Sequence, residues 1–192
     1  MSAEIQNSFF DLVKARSSIR SYSSRTVDRD IINGIIESAR YAPSACNRQP
    51  WRFIVVDDQE KIQSMCEKGL HQPVPNTWAQ TAPVIIVMGL AVSPVVDTAG
   101  KLLKSIDYRL IDAGIAGEHI CLAAQEQGLG TCWIGWFKSG AVRKICSIPR
   151  RIKIVSLITL GYAEESGSGT KQEKARKAMS EICFYNRYGD SL

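Results

Sequence analysis

The sequence predicts a layered α+β domain. Two helical segments come first, strands and helices then alternate, and the most apolar run, residues 84–90, is uniformly hydrophobic, as a central strand should be. With 192 residues the chain can fill one hydrophobic core but hardly two. It contains no internal repeat, low-complexity tract or visible domain boundary, so residues 1–192 are expected to form one domain.

Residues 4–14 have helical periodicity, with Ile5, Phe9, Leu12 and Val13 on one face. Arg16-Ser-Ser-Ile-Arg20 follows where that helix should end. A second helix is expected over 28–41, with Ile31, Ile32, Ile35, Ile36 and Ala39 inward and Thr26 or Asp28 as its cap. Pro43 prevents its continuation. Residues 51–56 read as a buried strand closed by Asp57-Asp58, and 59–68 as a short helix. Residues 69–83 form a loop with one helical turn around Trp78. After the central strand, 93–104 is a connection and a candidate lid.

The longest helix is expected over 105–127. Its Ala113-Gly114-x-Ala116-Gly117 stretch carries almost no side-chain bulk. Because an interior glycine costs about 1 kcal/mol, close helix packing is the expected reason. Gly128-Leu-Gly130 ends the helix. A short strand (131–134), a short helix (139–146), a second apolar strand (153–161) and a loop (164–169) follow. Residues 171–192 are mostly polar with scattered aromatics, a tail suited to wrapping another surface.

Apolar residues make up 45% of the chain and charged residues 22%, which is ordinary for a soluble protein. The net charge of +5 suits an anionic ligand. The basic residues are dispersed over several elements, which argues against a nucleic-acid footprint. The apolar run at 84–92 falls far short of the ~20 residues of a spanning helix, and residues 1–6 are polar. A cytoplasmic protein with no membrane partner is therefore expected. The six cysteines form no Cys-x-x-Cys pair and have no zinc-ligand spacing, which points to reduced thiols and no metal site. Cys46 lies in a promising loop, but neither His71 nor His119 has an evident carboxylate orienter, so a Cys-His hydrolase is not expected.

Three segments could carry chemistry. Arg16, Ser17, Ser18 and Arg20 place forked donors and hydroxyls at a helix end, suited to a phosphate and a ring edge. The bland alternative is a basic C-terminus that complements the helix dipole. Ala42-Pro-Ser-Ala-Cys-Asn-Arg-Gln-Pro-Trp-Arg-Phe53 is more telling. Asn47 and Gln49 each offer a donor and an acceptor, as a heteroaromatic ring edge requires, while Pro43 and Pro50 stiffen the loop. Gly128-Leu-Gly-Thr-Cys-Trp-Ile-Gly135 lets a backbone approach a planar ligand, or is simply a helix–turn–strand join.

In this order, with Pro-Ser-Ala-x-Asn-x-Gln-Pro-Trp the most specific part and Leu160-Gly-Tyr162 and Lys174-Ala-Arg176-Lys in support, these segments resemble the nitroreductase-like FMN-dependent oxidoreductases over roughly residues 10–182. The resemblance implies a mixed, largely antiparallel sheet flanked by helices. It also implies a homodimer with FMN shared at the interface, and residues 177–192 as an arm packing on the partner subunit. Arg16, Ser17, Ser18 and Arg20 would come from one subunit; Pro43, Ser44, Ala45, Asn47 and Gln49 would come from the other. Arg16, Lys174 and Arg176 would hold the phosphate, Arg20 would sit near the pyrimidine edge, and Trp133, Ile134 and Gly135 would line the ring. The implied activity is hydride transfer from NADH or NADPH through FMN to a small acceptor such as a nitroaromatic, quinone or flavin, without a catalytic side chain. The alternatives are an FMN-binding sensor or carrier without NAD(P)H turnover, and a variant with reductive dehalogenation or flavin-modifying chemistry. No ring-contacting polar residue aligns between residues 69 and 80; Asn76 is the nearest candidate.

Overall fold

The computed structural model describes residues 9–70, 75–91, 107–164 and 174–190. Their elements run α1 (Phe9–Ala15), α2 (Arg29–Arg40), a 3-10 turn (Ala45–Asn47), β1 (Trp51–Val56), α3 (Gln59–Gly69), a 3-10 turn (Thr77–Thr81) and β2 (Val84–Ala91), followed by α4 (Tyr108–Glu126), β3 (Gly130–Ile134), α5 (Ser139–Ile145), β4 (Ile152–Gly161) and α6 (Met179–Ile182). The candidate lid at 93–104, the start of the first expected helix, His71 and most of the 164–169 loop lie outside the described residues.

Aspartates set the helix starts. Asp28 accepts from the Asp30 N–H at 2.8 Å, and Asp58 from the Glu60 and Lys61 N–H groups at 3.0 and 3.2 Å. Asp107 caps α4 through the Arg109 N–H, and the Arg109 guanidinium holds its carboxyl below the usual range. Gly128, at φ +71°, supplies the left-handed residue that ends α4.

The sheet order is β1-β2-β4-β3, and every pairing is antiparallel. Among the described residues, the parallel component of the expected mixed sheet is one bridge between Ser18 and Thr131, which lays residues 16–20 along the β3 edge. β2 is central and divides the core by its alternation. Val84, Ile86, Met88 and Leu90 face α2 and α4, whereas Ile85 and Val87 face α3 and α5.

The small residues of α4 meet two different neighbours. Ala113 and Ala116 pack in the core shared with α2, as the close-packing expectation holds. Gly117 differs: a Cβ there would run into the Trp133 indole and the Met88 methyl, so this glycine makes room for a ring rather than for a helix. Gly114 has nothing within 4 Å and faces outward. Of the apolar face expected for the first helix, Leu12 is half-buried while Phe9 and Val13 are uncovered, at 73% and 41% exposed.

Candidate functional site

One wall is built around the β3 edge. The Ile19 N–H donates to the Thr131 carbonyl at 2.9 Å, and the Tyr22 hydroxyl donates to the Ile19 carbonyl at 2.8 Å. Tyr22 is buried and also shares a 2.6 Å hydrogen bond with Thr159 on β4; burial pushes its phenol well above its usual range. These contacts fix the backbone of residues 16–22, and the side chains of Ser18 and Arg20 lie beside the Cys132 thiol. Arg20 approaches the face of Trp78, with 5.9 Å from Cζ to the ring centroid.

Arg16 meets the C-terminal segment here. The Lys174 ammonium donates to the Lys14 carbonyl at 2.8 Å and to the Arg16 carbonyl. Desolvation, then the charges of Arg16 and Arg176, pull the Lys174 pKa below its usual value. Lys174 thus feels the charge of Arg16, more than 150 residues earlier in the chain, and of its near neighbour Arg176. Arg16 Nε also lies 3.7 Å from the Glu118 carboxylate on α4.

The end of β3 gives a flat surface. Trp133 is partly exposed above Gly117, and nothing lies within 4 Å of where a Gly135 Cβ would be. Ile134 departs from the ring-lining expectation in one respect. Strand alternation buries its side chain in the core beneath, so only its main chain faces the same side as Trp133 and Gly135. Asn76 does reach this area, where its Nδ2 donates to the Trp136 carbonyl at 3.2 Å.

The second wall is the loop after α2. Cys46, Asn47 and Gln49 all have positive φ, at 53°, 52° and 47°, a dense run of left-handed backbone for residues other than glycine. Each such residue costs on the order of 1–3 kcal/mol and persists only where its surroundings impose it. Here the Gln49 N–H donates to Ser44 Oγ at 2.9 Å, and Gln49 Nε2 donates to Asn47 Oδ1 at 2.9 Å. The Ala45 N–H donates to Asp112 Oδ1 on α4 at 3.1 Å. Pro43, Asn47 and Gln49 are exposed, and Ser44 and Ala45 are half-buried.

The two walls stand at different places along α4. Asp112 holds the loop and Glu118 meets Arg16, six residues or about 9 Å further along the axis. Clefts of ≈ 200 and ≈ 500 Å³ open beside β1 and residues 145–152, and no residue of either wall lines them. Sequence reasoning missed Asp112 and Glu118. The available signal was a carboxylate among the small residues of the long helix. His119 is packed, with Nδ1 3.1 Å from the Ser38 carbonyl, and no metal-binding cluster of His, Cys, Asp or Glu occurs among the described residues. No helix among them is long and apolar enough to cross a membrane.

The model of the Nitroreductase family matches residues 13–162, which takes in both walls and the whole sheet. The chain belongs to the nitroreductase family. A relative from Archaeoglobus fulgidus, named as a candidate NADH dehydrogenase/NAD(P)H nitroreductase, is 35% identical over 159 residues, covering 80% of this chain and 84% of that protein. Iodotyrosine deiodinase 1 of Mus musculus is 28% identical over 197 residues, covering 91% of this chain and 68% of the relative. Among solved structures, an FMN-dependent nitroreductase from Clostridium difficile superposes with a TM-score of 0.72 at 26% identity, covering 92% of this chain and 98% of the other.

Proposed function

We propose that this nitroreductase-family protein is an FMN-dependent oxidoreductase that passes hydride from NADH or NADPH to a small organic acceptor, with two cofactor sites shared across a homodimer. The observation that carries this reading is the meeting of the C-terminal segment with the Arg16 segment, where the Lys174 ammonium bonds the Lys14 carbonyl at 2.8 Å and the Arg16 carbonyl and feels the like charges of Arg16 and Arg176. A phosphate relieves that repulsion and accepts charge-assisted hydrogen bonds from all three side chains.

The remaining residues fit the rest of such a ligand. Ser17 and Ser18 offer hydroxyl donors next to the phosphate, and Arg20 is a fixed cation suited to a ring edge on which negative charge develops. Trp133, Gly135 and the main chain of Ile134 make a flat wall that excludes water from one ring face. Pro43, Ser44, Ala45, Asn47 and Gln49 present mixed donors and acceptors from the second wall. When bound, FMN supplies the hydride chemistry, and the protein supplies binding, orientation and electrostatics. No side chain is assigned as acid or base.

The shared-site reading rests on what a single chain leaves open. Phe9, Phe10 and Val13 on α1, Leu110 and Ile111 on α4, and Met179 and Ile182 on α6 are exposed, and a monomer seldom leaves so much large apolar surface in water. A second copy covering these faces, with residues 177–192 as an arm, would bring its 43–49 loop to the first wall.

The test is a visible spectrum of the protein after FMN addition and desalting, followed by anaerobic NADH and then NADPH. Retained flavin bands that bleach with either nucleotide support the proposal; protein that retains no flavin overturns it. The deiodinase relatives, which align over 91% of this chain, favour one second reading, reductive dehalogenation at the same site. Iodide release from iodotyrosine, compared with turnover of a nitroaromatic, a quinone and free flavin by the reduced protein, separates the two.

A further inference from the structure

Asp112 is a buried carboxylate in the middle of the small-residue face of α4, 4% exposed, and packing gives no reason for a charge there. It makes one hydrogen bond to a distant part of the chain, from the Ala45 N–H to Oδ1 at 3.1 Å. Ala45 opens the turn in which Cys46, Asn47 and Gln49 are all left-handed. The loop's other bonds, Ser44 with Gln49 and Asn47 with Gln49, are internal to it and can move with it as a unit. The Asp112 bond is different, because it ties that unit to a 19-residue helix embedded in the core.

We infer that Asp112 is a positioning residue for cofactor binding: it holds the 44–49 loop in its strained form so that Asn47 and Gln49 face the ligand. The inference rests on the FMN reading above. A strained loop released from its anchor relaxes into many conformers, and a ligand must then restore the productive one at a cost in affinity. The charged acceptor makes the bond stronger than a neutral one.

The experiment measures FMN dissociation constants by flavin fluorescence for the wild type, Asp112→Leu, Asp112→Asn, Ala45→Pro and the Asp112→Leu/Ala45→Pro pair. Asp112→Leu keeps the branched shape, with somewhat more bulk, and removes the acceptor; it should weaken FMN binding roughly ten- to hundredfold. Asp112→Asn keeps an acceptor and should recover most of that loss, to within about fivefold of wild type. Ala45→Pro removes the donor from the other side of the bond. Ser44 is already extended, at φ −142° and ψ 152°, as a residue before proline must be, so this variant keeps the turn. It should lose affinity like Asp112→Leu, and the double variant should lose no more than the worse single one.

Losses that add in the double variant, or FMN binding unchanged in both singles with only a lower melting temperature, overturn the proposal and leave Asp112 as a packing residue. Should Asp112→Leu not fold, unchanged affinity in Ala45→Pro overturns it alone. A wild type without FMN affinity defeats the cofactor reading itself, and this inference with it, and is recognised before any variant is compared.

Discussion

The two walls of the site are held by opposite means. Residues 16–22 are fixed mainly through the backbone, by the Ser18–Thr131 bridge and the Ile19–Thr131 hydrogen bond, with the buried Tyr22 hydroxyl on the Ile19 carbonyl as a side-chain tie. The 44–49 loop is fixed through side chains, by Asp112, Ser44 and Asn47, around a left-handed backbone. The first wall can therefore change Arg16, Ser17, Ser18 and Arg20 without losing its shape. The second has its shape written into a few side chains, and a change there alters geometry as well as chemistry.

This contrast can be broken by experiment. The largest effect is expected at Arg16. Arg16→Ala should weaken FMN binding by about a hundredfold, because a charge-assisted phosphate contact is lost. Its melting temperature without FMN should stay close to wild type, because the 3.7 Å contact with Glu118 contributes little at a half-exposed site. A large fall in melting temperature would show that the first wall also depends on its side chains. Next comes Gly117→Ala, whose methyl collides with the Trp133 ring. Urea unfolding should show a loss of about 2 kcal/mol, accompanied by a shift in tryptophan emission as the indole is displaced. Unchanged stability and emission would mean that Trp133 has room to move.

Smaller effects belong to the loop and to pH. Cys46→Val puts a β-branched residue at φ 53° and should cost about 1 kcal/mol in urea unfolding, whereas Cys46→Gly should not destabilise the protein. Equal stability of the two variants would argue against a strained loop. For pH, the sign follows from Lys174. Its pKa is lowered from 10.5 by desolvation and by Arg16 and Arg176, so its charge is lost at a lower pH than that of a free lysine. A phosphate binds the charged form, so FMN affinity should fall as pH rises toward 10.5, by less than about tenfold. The Lys174→Met variant should flatten that slope; an equal slope in the variant would assign it to another group.

Much of the fold could be read from local chemistry. Asp28 and Asp58 announce helix starts, Pro43 and Gly128 announce stops, and the unbroken apolar run of β2 marks the strand covered on both faces. Residue types named the polar loop and the basic segment as candidates for the same reason, since Asn, Gln, Arg and Ser have few uses in a packed turn. What stayed hidden was long-range. Nothing near Thr131 announces that residue 18 will pair with it, and nothing in the pattern of α4 says that Gly117 faces an indole while Gly114 faces outward. Asp112 escaped notice because its partner is a backbone N–H, 67 residues away, which no side-chain pattern can reveal.

The distribution of thiols has a practical consequence. Burial pushes the Cys66 and Cys121 thiols up to about 11 and raises those of Cys132 and Cys146, so these are poor nucleophiles at neutral pH. Cys46 stands exposed at the crest of the strained loop. A maleimide dye added to the Cys183→Ser variant, which removes the half-buried thiol of the C-terminal segment, therefore reaches Cys46 ahead of these four and places a reporter on the second wall.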